Sequence, residues 1–192
     1  VERVRVRDTP IEHFKALPDA QRIAAVESVV AELGDPAADG GPFQLLSWDE
    51  AGSLAGDGWV TLYPHSVTHP ILSQCDDAKV EFEIEESCRA VTINTGRRPT
   101  VFAYPNGGAH DFDERARSAL RRNGIRWALS TANGYAGPES DPLALPRMGF
   151  ASHQSFAVFK LKVSGFTARP HRRSTPARVA SAPKKVDSDV GV

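Results

Sequence analysis

His65 and His69 stand four residues apart in the segment P-H-S-V-T-H-P, with Pro64 before the first and Pro70 after the second. On a helical turn, residues at i and i+4 share one face. The two imidazoles would then converge as a ligand pair for one metal ion, and the flanking prolines would keep the turn short and fixed. Position 66 is Ser, so the motif is not the H-E-x-x-H of a zinc peptidase. A hydrolytic zinc centre takes three protein ligands and leaves one position for water. His110, Asp111 and Asp113, in and after the segment P-N-G-G-A-H, are candidates for the third. Both acids have a competing use. Asp111 suits a helix cap equally well, and Asp113 would fall in a first turn, where the helix dipole favours an acid.

These residues need elements to position them. Asp19 is placed to cap a helix in which Ile23, Val26, Val29, Val30 and Leu33 recur at helical spacing, with Gly34 as its stop. A Gly/Pro/Asp-rich loop covers Asp35–Pro42. Ser47–Glu50 reads S-W-D-E, a capping box that opens a helix to about Ala55. Trp59–Tyr63 reads as a strand. Asp76 or Asp77 caps a long helix with Val80, Ile84, Cys88 and Val91 on one face, ending by Gly96. Thr100–Tyr104 is a second strand, followed by a helix from Asp111 to Gly124 with Ala116 and Leu120 inward. Arg126–Ser130 and Leu145–Phe150 are further strands, and a last helix runs from about Ser152 to Val163. Strands alternating with helices predict a parallel α/β sheet with crossover helices. In such sheets ligands gather where the strands end, which is where His65, His69, Asn106 and the segment T-A-N-G-Y would meet. Trp59 and Trp127 are expected to pack in the core. Cys75 and Cys88 would sit ~20 Å apart along one helix, too far to pair.

Composition narrows the classes. The 192 residues carry 23 Lys+Arg against 24 Asp+Glu, which argues against a dedicated nucleic-acid binder. No apolar run approaches the ~18 residues of a membrane span. No signal peptide is visible, so the cytoplasm is the default expectation. Residues 167–192, rich in Pro, Ser, Ala and Arg, read as a disordered basic tail. Residues 1–166 remain for one domain, helical over 10–34 and motif-bearing over 46–166.

The motifs resemble a known family. S-W-D-E-A-G-S-L-A-G-D-G (47–58), H-S-V-T-H-P (65–70), E-I-E-E-S (83–87), G-R-R-P-T-V-F-A-Y-P-N-G (96–107), D-F-D-E-R-A-R-S-A-L (111–120) and D-P-L-A-L-P-R (141–147) look, in order, like the polysaccharide deacetylases of the NodB-homology type, the carbohydrate esterase family 4 group. The resemblance implies a distorted (β/α) barrel and a divalent metal, usually zinc, held by two His and one Asp. It implies hydrolysis of the N-acetyl groups of an amino-sugar polysaccharide, with an Asp as base and a His as acid. His65 and His69 would be metal ligands. Thr68 would hydrogen-bond within the turn or touch substrate. Tyr104, Pro105 and Asn106 match the motif lining the groove, although turn formation accounts equally well for Tyr104 and Pro105. The backbone N–H of Asn106 falls where the family places an oxyanion donor.

Three parts of the family pattern are absent. The first motif, T-F-D-D, which supplies the base and the Asp ligand, is not found. The Arg that orients the base is replaced by Ala103. The L-x-x-H motif is replaced by L-P-R-M, with Met148 where the acid would stand, and His153 does not fit the spacing. The expectation is therefore an incomplete barrel, the C-terminal portion of a deacetylase whose first strand and helix lie before Val1. Such a chain would have half a metal site, little activity unaided, open sheet edges and a tendency to associate. Two alternatives stand beside it: a complete metal amidohydrolase using Asp111 or Asp113 as third ligand, and a non-catalytic glycan-binding or degenerate domain.

Overall fold

The computed structural model of the chain describes residues 11–34 and 45–166. The expected basic tail at 167–192 and the loop Asp35–Pro42 lie outside the described residues. Helix α1, Asp19–Leu33, is preceded by Pro18 in the cap position. Asp19 is therefore the first helical residue rather than the cap. It is buried and pairs with Arg22 at 2.5 Å. The apolar stripe of α1 is not a core face among the described residues: Ile23, Val26, Val29, Val30 and Leu33 all stay exposed. Helix α2, Trp48–Gly56, begins at the expected capping box, with Ser47 Oγ accepting the Glu50 N–H and Glu50 accepting the Ser47 N–H.

Helix α3, Asp77–Thr95, is capped by Asp76, whose carboxylate accepts the Lys79 N–H at 2.7 Å. It ends at Gly96, where a left-handed φ of 68° suits glycine. Val80, Ile84, Cys88 and Val91 are buried along its inner face, as the periodicity predicts. Three parallel strands follow, β1 (Val101–Ala103), β2 (Trp127–Asn133) and β3 (Leu145–Arg147), in the order β1-β2-β3. Phe102 lies opposite Ala128 and Leu129 opposite Leu145. Between β1 and β2 runs helix α4, Glu114–Arg122, capped by Asp113. Helix α5, Phe156–Val163, closes the described part, with Ser155 as its cap.

The core lies between this sheet and helices α3 and α4. Leu72, Val80, Ile84, Phe102, Tyr104, Phe112, Ala116, Leu120, Ala128 and Leu143 form one buried cluster. Cys75 and Cys88 belong to it as free thiols.

Three expectations need correction. Trp59–Tyr63 is not a strand: among the described residues none of its backbone groups pairs with β1, and the link comes one residue later, from the Ala103 N–H to the Pro64 carbonyl at 3.1 Å. A strand needs a ladder of such bonds, whatever its β propensity. Trp59 is 93% exposed there, outside the core. Trp127 is also half exposed, because side chains alternate along β2 and Ala128 and Ser130 take the inner face.

Candidate functional site

The segment carrying the two histidines meets the sheet where β1 ends. His65 Nδ1 lies 2.7 Å from the carbonyl oxygen of Ala103, the last residue of β1. Only a protonated Nδ1 can donate to that carbonyl, so this bond selects the tautomer with a lone pair on Nε2. The rings of His65 and His69 are 5.0 Å apart, centroid to centroid, and nearly perpendicular. Both residues are exposed. The pairing expected from the spacing is present, but a helical turn does not produce it. Ser66 (φ 67°) and His69 (φ 58°) adopt left-handed backbone, and residues 65–69 are not helical. Non-glycine residues seldom adopt this conformation, and it persists where surrounding structure enforces it.

Against this turn lies Glu83, wholly buried on the inner side of α3. Its carboxylate accepts the backbone N–H groups of Val67 (2.6 Å) and Thr68 (2.8 Å) and the hydroxyl of Thr68 (2.5 Å). Lys79, one helical turn earlier, adds an ion pair at 2.9 Å. Burial by itself raises a carboxyl pKa. Here the Thr68 hydroxyl, Lys79 and the two backbone donors outweigh it and hold Glu83 below the usual glutamate range. Sequence reasoning gave Glu83 no role. A signal was present, because an acid occupies an inward position of an otherwise apolar stripe, one turn after a lysine. The His69 N–H donates to Ser66 Oγ at 3.0 Å and closes the turn.

The segment after β1 forms the other side of the site. Asn106 Nδ2 donates to the Pro70 carbonyl at 3.4 Å and links the two loops. The backbone N–H of Asn106 has no hydrogen-bond partner among the described residues. Pro105 is partly exposed beside it. Gly107 presses against β2: a Cβ there would fall 2.5 Å from the Thr131 nitrogen, and its carbonyl accepts the Thr131 N–H at 2.9 Å.

The structure moves several expected site residues elsewhere. The Tyr104 side chain does not line a groove. It is wholly buried, stacked on Phe112 at 3.8 Å, and its hydroxyl donates to the Leu143 carbonyl at 2.9 Å. Burial pushes its ionisation upward. Thr68 stays between the histidines, and its hydroxyl donates to Glu83, a hydrogen bond that holds the turn, the first of the two uses expected for it. Asp111 does not cap α4; its carboxylate accepts the Gly108 N–H at 2.8 Å. Asp113 is the cap of α4 and pairs with Arg115. No contact among the described residues brings Asp111, Asp113 or His110 to the pair. Among the described residues no group of three His, Cys, Asp or Glu side chains is placed to hold a metal.

Comparison with known proteins agrees with this architecture. The fold matches the Streptococcus pyogenes deacetylase PplD, solved with acetate, at a TM-score of 0.54 and 19% identity, covering 62% of this chain and 51% of that one. It matches a polysaccharide deacetylase from Bacillus cereus at a TM-score of 0.55 and 18% identity, covering 72% and 46%. It also matches a de-N-acetylase from Aggregatibacter actinomycetemcomitans at a TM-score of 0.51 and 13% identity, covering 60% and 52%. At such identities the likeness is one of fold, and the chain spans about half the length of these structures. No curated protein matches the chain. The family model for polysaccharide deacetylase matches residues 21–128, more than half of the sequence. With its motifs in order on a matching fold, the chain belongs to the polysaccharide deacetylase family.

Proposed function

We propose that this chain carries part of the active site of a metal-dependent deacetylase acting on an N-acetylated amino-sugar polysaccharide or oligosaccharide. The observation that carries the reading is the His65–His69 pair, two exposed imidazoles 5.0 Å apart at the end of β1. Their donor chemistry suits zinc, since the hydrogen bond from His65 Nδ1 to a carbonyl is the usual outer support of a metal-ligating imidazole. They supply two of the three protein ligands a catalytic zinc takes. A divalent ion bound there supplies Lewis-acid activation for hydrolysis of the acetamide.

The remaining roles fall to the chain itself. Asn106 directs its backbone N–H to the oxygen that becomes negative as water adds to the acetyl carbon. Pro105 and Asn106 form the rim against which the sugar lies. The net change cleaves the amide C–N bond with one water and leaves acetate and a free amine. The described residues hold neither a third ligand nor a base beside the pair, so turnover by this chain alone is expected to be weak. General acid–base help alone contributes roughly 10²–10⁴-fold.

The test is zinc titration of the 192-residue chain beside its His65→Ala variant, with acetate release from an N-acetylglucosamine oligomer followed in parallel. Zinc binding that His65→Ala weakens, with little acetate released, is the expected result. Equal binding by both proteins would remove the metal reading. Fast turnover would remove the expected impairment. Zinc and oligomer binding without any acetate would favour the glycan-binding alternative.

A further inference from the structure

We infer that Glu83 is a positioning residue that locks the turn between His65 and His69 and so sets how tightly the pair holds a divalent cation. The inference rests on the metal reading above and extends it to a residue that touches neither imidazole. Four donors meet one wholly buried carboxylate, and three of them come from Val67 and Thr68, inside the motif between the two histidines. Successive backbone N–H groups gathered around an anion form a nest, which fixes the backbone that carries them. Here the nest is lined by the chain's own carboxylate, set on a rigid helix.

The two ligands depend on it differently. His65 has a second anchor, the Ala103 carbonyl. For the His69 ring, the contact in the structure is His65 itself. Its direction follows from the left-handed backbone at position 69, and the closing bond from its N–H to Ser66 holds only the main chain. Without Glu83 the Val67 and Thr68 N–H groups would turn to water. Ser66 and His69 would relax to ordinary backbone, and the second imidazole would leave the first. Lys79 adds a fourth, charged donor to the buried carboxylate.

The test uses the full chain and zinc alone. Zinc affinity is measured by competition with a chelating dye for the unmutated protein, Glu83→Gln, Thr68→Val and Val91→Ala, with circular dichroism to show that each is folded. Amide hydrogen exchange over 64–70 is read in the metal-free proteins. Glu83→Gln should lose roughly 10- to 100-fold in zinc affinity, the usual effect of removing an outer support. Protection at Val67 and Thr68 should disappear in the same variant. Thr68→Val, which deletes one donor, should shift both readouts in the same direction by less. Val91→Ala thins the core on the same helix and should lower stability without moving either readout.

A folded Glu83→Gln protein with unmutated zinc affinity overturns the inference. So does a Val91→Ala protein that loses as much affinity. If the chain and His65→Ala bind zinc alike, the metal reading fails, and exchange at residues 67 and 68 alone decides whether Glu83 holds the turn. Unchanged protection there in Glu83→Gln would overturn that part too.

Discussion

Gly107→Ala tests whether the loop after β1 is held against the sheet by backbone contact. The added Cβ would lie 2.5 Å from the Thr131 nitrogen, 2.9 Å from the Ser130 carbonyl carbon and 3.1 Å from the Ser130 Cα. All three are backbone atoms of β2, so no flexible side chain can move aside. The loop must lift off the strand, and the 2.9 Å bond from the Thr131 N–H to the Gly107 carbonyl goes with it. Overpacking a tight contact and losing one hydrogen bond together should cost about 2–4 kcal/mol. In a chain of this size that lowers the melting temperature by roughly 5–15 °C. The control is Gly137→Ala, where an added Cβ meets nothing within 4 Å. It should stay within about 0.5 kcal/mol of the unmutated protein. Urea unfolding of both variants gives the comparison. If Gly107→Ala unfolds within about 0.5 kcal/mol of the Gly137→Ala control, the close approach of loop and strand is wrong, and with it the placement of the Asn106 N–H.

Tyr104→Phe should cost about 1–2 kcal/mol in urea unfolding, because it leaves the buried Leu143 carbonyl without its donor; zinc titration should be unmoved, and a loss of zinc or sugar binding at unchanged stability would return Tyr104 to the groove. Glu83 gives a pH dependence with a definite sign. Its carboxyl is held below the ordinary range when folded, so the unfolded chain binds more protons as the solution is acidified. Its contribution is complete above about pH 4.3 and disappears as pH falls through the depressed folded value. Asp113 and Asp141 are lowered too and act with the same sign. The diagnostic is therefore the difference between the unmutated chain and Glu83→Gln, which should shrink on acidification. A difference that stays constant from neutral pH to pH 3 would refute the assignment.

Signals that act within one or two turns of chain were legible in the sequence and agree with the structure. Ser47 and Glu50 close a capping box, Asp76 caps α3, Gly96 stops it, and Val80, Ile84, Cys88 and Val91 face inward because 3.6-residue periodicity requires it. The cores of β1 and β2, the parallel order and the H-S-V-T-H-P and F-A-Y-P-N-G motifs were equally visible, and with them the family. Where the structure differs from the sequence expectation, distant partners decide. Trp59–Tyr63 has the residues of a strand but lacks a ladder, since a strand needs hydrogen bonds from another segment. Tyr104 sits in a motif that suggests substrate, yet Phe112 and the Leu143 carbonyl claim its side chain.

By itself, then, the sequence determined which residue types stand beside each other and which helices and strands they prefer. It placed two histidines at a spacing suited to one metal. Only the tertiary structure decided how that pair is held. A helical turn would have brought the rings together by local geometry, and the protein instead uses a left-handed turn that is unfavourable alone. Its stabilising partner, Glu83, lies on another element, and a buried carboxylate stays ionised only where folding brings enough donors to it. The tertiary structure also sets where the neighbouring acids stand: Asp111 accepts the Gly108 N–H and Asp113 caps α4.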